Sequence, residues 1–281
     1  MKKVGVIGAG VMGIGVAHSV AEAGHGVILV DIDTNLLEKA KEEIYNNVRM
    51  QFFFNKKEES LSPEEVIDRI TTTLDYELLS DVDFIIENVP EIWEIKRDVY
   101  NKLDEICPDH CIFAVNTSCI SITKIAALTK RPKQVIGTHF MNPVPMKPVI
   151  EAIKGFHTSE ETINSLKELL ATMNKRCVVV NDYPGFVSNR ISHLLMNEAA
   201  FVVQDGVATP AEVDEIFKEC FGHKMGPLET ADLIGLDTVM DSLNILYQEY
   251  QDVKFRCSPL LKKMVQAGLK GRKSGEGFYQ Y

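Results

Sequence analysis

The sequence predicts a doubly wound α/β domain with a mostly parallel sheet, followed by an all-helical C-terminal domain. Three observations predict it. Short β-branched apolar runs alternate with amphipathic stretches through the first half. A Gly-x-Gly-x-x-Gly run follows the first of those strands. Beyond Tyr183-Pro184-Gly185 only helices are read. The strands are Val4–Ile7, Val27–Asp31, Phe84–Glu87, Ile112–Val115, Val135–His139 and Cys177–Asn181. They are continuous apolar runs rather than alternating ones, as expected of strands covered on both faces. Helices between them are read at Met12–Ala23, Leu36–Met50, Ile95–Ile106, Ile122–Leu128 and Glu160–Met173. In the second half Phe186–Gln204 is periodic and stops before Gly206. Thr209-Pro210-Ala211-Glu212 reads as a capping box with proline at the first helical position, opening Ala211–Cys220. Leu228–Tyr250 reads as one long amphipathic helix, and Ser258-Pro259 opens a last one that ends near Gly268. The boundary falls near Tyr183, giving domains 1–183 and 184–281.

Composition narrows the function classes. The chain has 281 residues, 45% hydrophobic and 25% charged, as in ordinary globular proteins. It lacks a run of about 18 apolar residues, so no membrane span is expected. A net charge of −10 argues against a nucleic-acid partner. Of six cysteines only Cys107 and Cys111 are close, and no second pair completes a metal set, so reduced thiols and no metal are expected. The basic start at Lys2 and Lys3 runs into an apolar stretch, but Asp31 and Asp33 follow soon and no small-residue cleavage site closes it. A cytoplasmic protein is the expectation.

Gly8-Ala9-Gly10-Val11-Met12-Gly13 sits between a strand and a helix. Gly8 permits the tight turn, Gly10 lets the backbone approach a pyrophosphate, and Gly13 lets helix pack close to strand. The N–H groups at the helix start then face the phosphates. Asp31 ends the next strand, 23 residues after Gly8. A carboxylate there accepts from a ribose 2′-OH and repels a 2′-phosphate, which favours NAD in a Rossmann-type site. Asp33, two residues on, points the same way and competes for the role. A glycine-rich turn without a ligand is the bland alternative.

His139 also ends an apolar strand, where open α/β sheets bind ligands. A histidine there can take a hydroxyl proton near neutral pH. Glu151 lies twelve residues on, past Pro143, Pro145 and Pro148, which can fold the chain back. A carboxylate at the second ring nitrogen would fix the tautomer and stabilise the imidazolium. Spacing alone does not prove that the two meet. Asn116-Thr117-Ser118 follows another strand; its small polar side chains suit a substrate oxygen or a nicotinamide amide, or simply a turn.

Together these motifs carry a resemblance. The chain is similar over nearly its full length to the short-chain L-3-hydroxyacyl-CoA dehydrogenase family, especially its bacterial 3-hydroxybutyryl-CoA branch. The likeness runs through 6–13, 116–118, 137–143, 184–190, 225–229, 234–237 and 271–279. It implies NAD-dependent oxidation of the 3-hydroxyl of a short (S)-3-hydroxyacyl-CoA. By the same resemblance His139 is the base and Glu151 its orienting partner, while Ser118 and Asn189 hold the substrate oxygen. Asn116 lies by the nicotinamide, Gly8, Gly10, Met12, Gly13 and Asp31 form the nucleotide site, and Glu91 and Lys96 contact the cofactor ribose. For the last two, a solvated ion pair at a helix start is the structural alternative. The helical domain is expected to serve substrate and a homodimer interface.

Two departures from the family pattern bear on the substrate. After Asn142-Pro143 the family's methionine and lysine are shifted by one, at Met146 and Lys147. The lysines that meet the CoA phosphates in relatives are replaced by Phe52-Phe53-Phe54, leaving Arg49, Lys56 and Lys57 as candidates. The alternative partner is an acyl carrier protein presenting the same acyl group on pantetheine, as in extender-unit biosynthesis. A hydroxy-acid dehydrogenase with a catalytic lysine after the hinge is disfavoured, because that helix offers Asn189, Arg190 and His193 but no lysine. A non-enzymatic nucleotide-binding protein is disfavoured by the intact set of site residues.

Overall fold

The apolar runs of the first half become the strands of one sheet. The structure is a computed structural model describing residues 1–54 and 61–281, with the side chains of 52–54 also outside the description. It divides into two units, Met1–Asp182 and Tyr183–Tyr281. The first builds β1 (Lys3–Ile7), α1 (Val11–Glu22), β2 (Gly26–Val30), α2 (Thr34–Phe54), α3 (Pro63–Ile67), β3 (Ile70–Thr73), β4 (Phe84–Glu87), α4 (Trp93–Ile106), β5 (Ile112–Val115), α5 (Ile122–Ala126), β6 (Val135–His139), β7 (Val149–Lys154), α6 (Glu160–Thr172) and β8 (Arg176–Asn181).

The sheet order is β3-β2-β1-β4-β5-β6-β7-β8. Every neighbouring pair is parallel except β6 and β7. The chain leaves β1 toward β2 and returns on its other side as β4, so the switch point of the fold lies between β1 and β4. All residues of β4, β5 and β6 are buried, which is why their sequences do not alternate. On one face Val4, Val6, Leu29, Ile86 and Ala114 pack with α1 and α2 residues such as Val16, Val20 and Ile44.

Two strands were not anticipated. β3 is threonine-rich and lies at the sheet edge, where one side of a strand stays unpaired. β7 begins in the proline-rich stretch and carries Glu151 and Lys154, which interrupt its apolar pattern.

The second unit comprises α7 (Ser188–Gln204), α8 (Pro210–Phe221), α9 (Pro227–Ile234), α10 (Leu236–Tyr250) and α11 (Pro259–Gln266). Its core includes Met196, Ala200, Leu228, Val239, Leu243 and Leu261. The capping box at α8 forms: Thr209 N–H donates to Glu212 Oε2 at 2.7 Å, and Glu212 N–H to Thr209 Oγ1 at 3.4 Å. The single helix expected over Leu228–Tyr250 is two. Gly235 stands at φ +105°, a conformation that ends α9 and turns the chain into α10. Among the described residues no helix is long and apolar enough to cross a membrane.

Candidate active site

One row of paired residues crosses the sheet: Val30, Ile7, Glu87, Val115, Gly137 and Ile153 lie side by side from β2 to β7. The residues just beyond that row in the parallel strands line the carboxyl edge. They include Gly8, Asp31, Asn88 and Asn116, with His139 one step further along β6, so the register gathers four of the sequence-predicted site residues, His139 among them.

The glycine loop is closed tightly against its neighbours. Gly8 has φ +94°, and a Cβ on Gly13 would stand 1.7 Å from the Gly8 carbonyl oxygen. Only glycine therefore allows α1 to start so close to β1. A Cβ at Gly10 meets nothing within 4 Å, so the loop is open on the side where a ligand would approach. No side chain caps α1 and no acid occupies its first turn, which leaves the amides of 11–13 and the positive helix end for an anion. Met12, in that turn, is half-buried against the core.

The structure separates Asp31 from Asp33. Asp31 Oδ2 accepts from Ala9 N–H at 2.6 Å, and its Oδ1 accepts from Ile32 N–H at 2.7 Å. It thus ties the end of β2 to the glycine loop and keeps acceptor capacity for a hydroxyl. Asp33 instead caps the start of α2, accepting from Asn35 N–H at 2.9 Å. These residues fit an adenine dinucleotide: small at the turn, unblocked at the helix start, acidic where a ribose would lie.

At the end of β4 sits a charged cluster that the sequence reading only half saw. Lys96 is wholly buried; its Nζ donates to Glu87 Oε1 and Oε2 at 2.8 and 2.9 Å and to the Asn116 carbonyl at 3.0 Å. This excludes the solvated ion pair considered above. Burial pushes the Glu87 carboxyl up against the opposing pull of Lys96. Removing either partner would strand a buried charge at a cost of about 3–5 kcal/mol. Glu91 is turned into the 117–120 segment. Its Oε1 accepts from the Thr117 hydroxyl and from the N–H groups of Ser118, Cys119 and Ile120, the last three at 3.0, 2.8 and 3.2 Å. Burial raises the Glu91 carboxyl, but Lys96 and these donors outweigh it and hold the group below its ordinary value. Glu91 therefore builds the turn that presents Ser118. Asn116 spans two strand ends: its Nδ2 donates to Asn88 Oδ1 at 2.8 Å and its Oδ1 accepts from Phe140 N–H at 3.3 Å.

The antiparallel reversal of β7 makes the acid–base pair. His139 and Glu151 are direct cross-strand partners, and their side chains meet with His139 Nδ1 3.0 Å from Glu151 Oε2. Both side chains are nearly buried, at 8% and 12% exposure, so the pairing is weakly screened. Ser118 is half-buried in the neighbouring loop. Asn189 stands in the first turn of α7, in the helical unit, where its carbonyl accepts from His193 Nδ1 at 2.9 Å. Arg49 is exposed on α2, and Lys56 and Lys57 lie outside the described residues. Glu87 and Asn88 were missed from sequence; a lone acid closing the apolar run Phe84–Ile86 was the available signal. Among the described residues no group of three His, Cys, Asp or Glu could hold a metal.

Residues 3–183 match the family model for the 3-hydroxyacyl-CoA dehydrogenase NAD binding domain, and residues 185–281 that for the C-terminal domain of the same enzymes. The chain belongs to the 3-hydroxyacyl-CoA dehydrogenase family. The probable 3-hydroxybutyryl-CoA dehydrogenase of Bacillus subtilis is 43% identical over 281 residues, covering 100% of this chain and 98% of the relative. The 3-hydroxybutyryl-CoA dehydrogenase of Clostridioides difficile is 43% identical over 279 residues, covering 99% of each chain. The crystal structure of (S)-3-hydroxybutyryl-CoA dehydrogenase from Ralstonia eutropha superposes with a TM-score of 0.94 at 38% identity, covering 100% of this chain and 99% of that one. The family's activity applies here: NAD-dependent oxidation of a 3-hydroxyacyl-CoA.

Proposed function

We propose that the substrate is a short (S)-3-hydroxyacyl-CoA, oxidised reversibly to the 3-ketoacyl-CoA with His139 as base and Glu151 as its partner. The observation that carries this reading is the 3.0 Å contact between His139 Nδ1 and Glu151 Oε2 at the carboxyl edge of the sheet. With Nδ1 turned to the carboxylate, Nε2 is the nitrogen that takes the 3-hydroxyl proton. Glu151 fixes the tautomer and balances the imidazolium that forms. Ser118 holds the substrate oxygen; for Asn189, on the helical unit, the family likeness implies the same role and, in the reverse direction, help in polarising the ketone. NAD, held by the 8–13 loop, Asp31, Glu91 and Asn116, supplies the hydride acceptor when bound; the wholly buried Lys96 serves that site through Glu87 and the Asn116 carbonyl.

A short acyl chain is supported by the relatives named above, which carry the name 3-hydroxybutyryl-CoA dehydrogenase. A second carrier is favoured by one observation: Phe52–Phe54 replace cations, which suits the pantetheine arm of an acyl carrier protein. The helical unit leaves Val187, Ile191, Ile216 and Phe221 at least half exposed, which supports a homodimer built on it. Six free cysteines support a reducing, cytoplasmic setting.

The test is NADH-linked turnover of acetoacetyl-CoA, acetoacetyl-pantetheine and an acetoacetyl-acyl carrier protein by wild type and His139→Gln. The variant should lose about 10²–10⁴-fold in turnover while NADH binding survives. A near-normal rate removes His139 from the mechanism. A strong preference for CoA selects the first carrier; a preference for the carrier protein selects the second.

A further inference from the structure

If His139 and Glu151 are the acid–base pair, the β6–β7 ladder that joins them is short. It has three rungs: Gly137 with Ile153, Thr138 with Ala152, and His139 with Glu151. The catalytic rung is the outermost, next to the connection Phe140–Pro148, where a ladder would fray first. Three of those nine residues are prolines, which have no N–H to hold the turn from within.

Two backbone bonds hold the turn from within, Met146 N–H to the Pro143 carbonyl at 3.1 Å and Lys147 N–H to the Val144 carbonyl at 3.3 Å, and one side chain fastens it from outside. Lys175 Nζ donates to the carbonyls of Val144, Pro145 and Lys147 at 2.7, 3.3 and 3.0 Å. An ammonium has three protons, and three converging carbonyls take them. Lys175 is only 6% exposed. The next residue, Arg176, donates its N–H to the Pro148 carbonyl at 2.9 Å and opens β8, the strand that flanks β7 on its far side and pairs Val178 with Glu151. Helix α1 packs over the clasp: a Cβ on Gly15 would reach 2.9 Å from Val144 Cβ. The titratable groups α1 turns toward Lys175 are His18 and Glu22. Burial, and then the Lys175 charge, push His18 down to about 4, so the histidine is neutral near pH 7. Glu22 opposes the effect of burial on Lys175 itself. The ammonium is thus the charge around which this cluster is arranged, and its three bonds go to the turn.

We propose that Lys175 is a positioning residue for the reaction: its ammonium fastens the 144–147 turn and thereby holds Glu151 opposite His139. The proposal rests on the reading of His139 and Glu151 given above. Lys175 touches neither reacting atom nor cofactor; it acts through the geometry of the last rung. Glycine-loop residues are not part of the clasp, so nucleotide affinity should be spared.

The experiment compares steady-state reduction of acetoacetyl-CoA by wild type, Lys175→Met, Lys175→Arg, Glu151→Gln and the double variant Lys175→Met with Glu151→Gln, all as the full chain. Lys175→Met should lower kcat by about 10–100-fold through misplacement of the pair, with KM for NADH nearly unchanged. Lys175→Arg should recover part of the loss, because it restores a charged donor. In the Glu151→Gln background Lys175→Met should add little, since the carboxylate it positions is already gone. Losses that multiply in the double variant, or a wild-type kcat in Lys175→Met, overturn the proposal. Should Lys175→Met fail to fold, Lys175→Gln keeps two donors without the charge, and a wild-type kcat there overturns it equally. If Glu151→Gln itself runs at the wild-type rate, the acid–base reading falls and this role falls with it; a slow Glu151→Gln beside a fast Lys175→Met removes Lys175 alone.

Discussion

Acid sensitivity of the first unit should originate in large part at His18. The side chain is 1% exposed, and among the described residues neither ring nitrogen has a hydrogen-bond partner. Glu22 Oε2 lies 3.6 Å from Nε2, but burial and Lys175 keep the ring neutral by pushing it down to about 4. In the unfolded chain the same ring titrates at its ordinary 6.5. Between those values the unfolded state binds a proton that the native state refuses, so stability falls as pH falls through the window from 6.5 to about 4. At about 1.4 kcal/mol per pH unit the full window is worth about 3 kcal/mol. For a unit of this size that is a melting shift of roughly 6–12 °C. Thermal melts of wild type and His18→Leu from pH 7.5 to 4.5 read it directly. The carboxylates titrate in both proteins, so the difference between the two curves isolates His18. The variant should match or exceed wild type at pH 7.5, because two orphaned polar atoms are gone, and should keep most of the lost stability at pH 4.5. Parallel curves would show that the native ring takes up its proton over the same pH range as the unfolded one, and would refute the account of His18 as held neutral by burial and the Lys175 charge.

Two further outcomes concern the nucleotide site. Gly13→Ala places a methyl 1.7 Å from the Gly8 carbonyl, so the loop must shift; fluorescence titration should show NADH affinity down by at least tenfold, about 1.4 kcal/mol, and an unchanged Kd would mean the loop does not touch the pyrophosphate. Asp31→Ala removes both a 2′-OH acceptor and the tether on Ala9 N–H, so NADH binding should weaken and the preference over NADPH should shrink, whereas unchanged selectivity would take Asp31 out of cofactor choice.

What the sequence made legible follows burial. β4 and β5 are enclosed on both faces and read as unbroken apolar runs with the observed bounds. β3 and β7 escaped because an edge position in one, and Glu151 and Lys154 in the other, admit polar residues that blur the pattern. The break at Gly235 was hidden because apolar spacing continues on both sides of it; only its positive φ ends the helix. At the site, the glycine loop is a local motif and was readable locally. The pairing of His139 with Glu151 required the reversed direction of β7, which twelve residues of spacing do not encode. Glu87 and Lys175 were further out of reach, because each matters through a partner that only the tertiary fold supplies: Lys96 for one, a turn thirty residues away for the other.

β7 and β8 run against the other six strands, so the beginning of β7, and not its finish, reaches the edge where ligands gather. That inverts how the chain tolerates changes in length. Parallel strands feed their site groups from loops that follow them, and a residue gained there moves one loop. Glu151 is instead the third residue of its strand, and a single residue inserted or lost between Val149 and Glu151 would turn its carboxylate to the opposite side of the sheet. The connection Phe140–Pro148 can vary its contour only as far as its anchors allow, while those three positions admit no indel at all. In a lineage of such enzymes, length variation should therefore collect everywhere around this corner except at the corner itself.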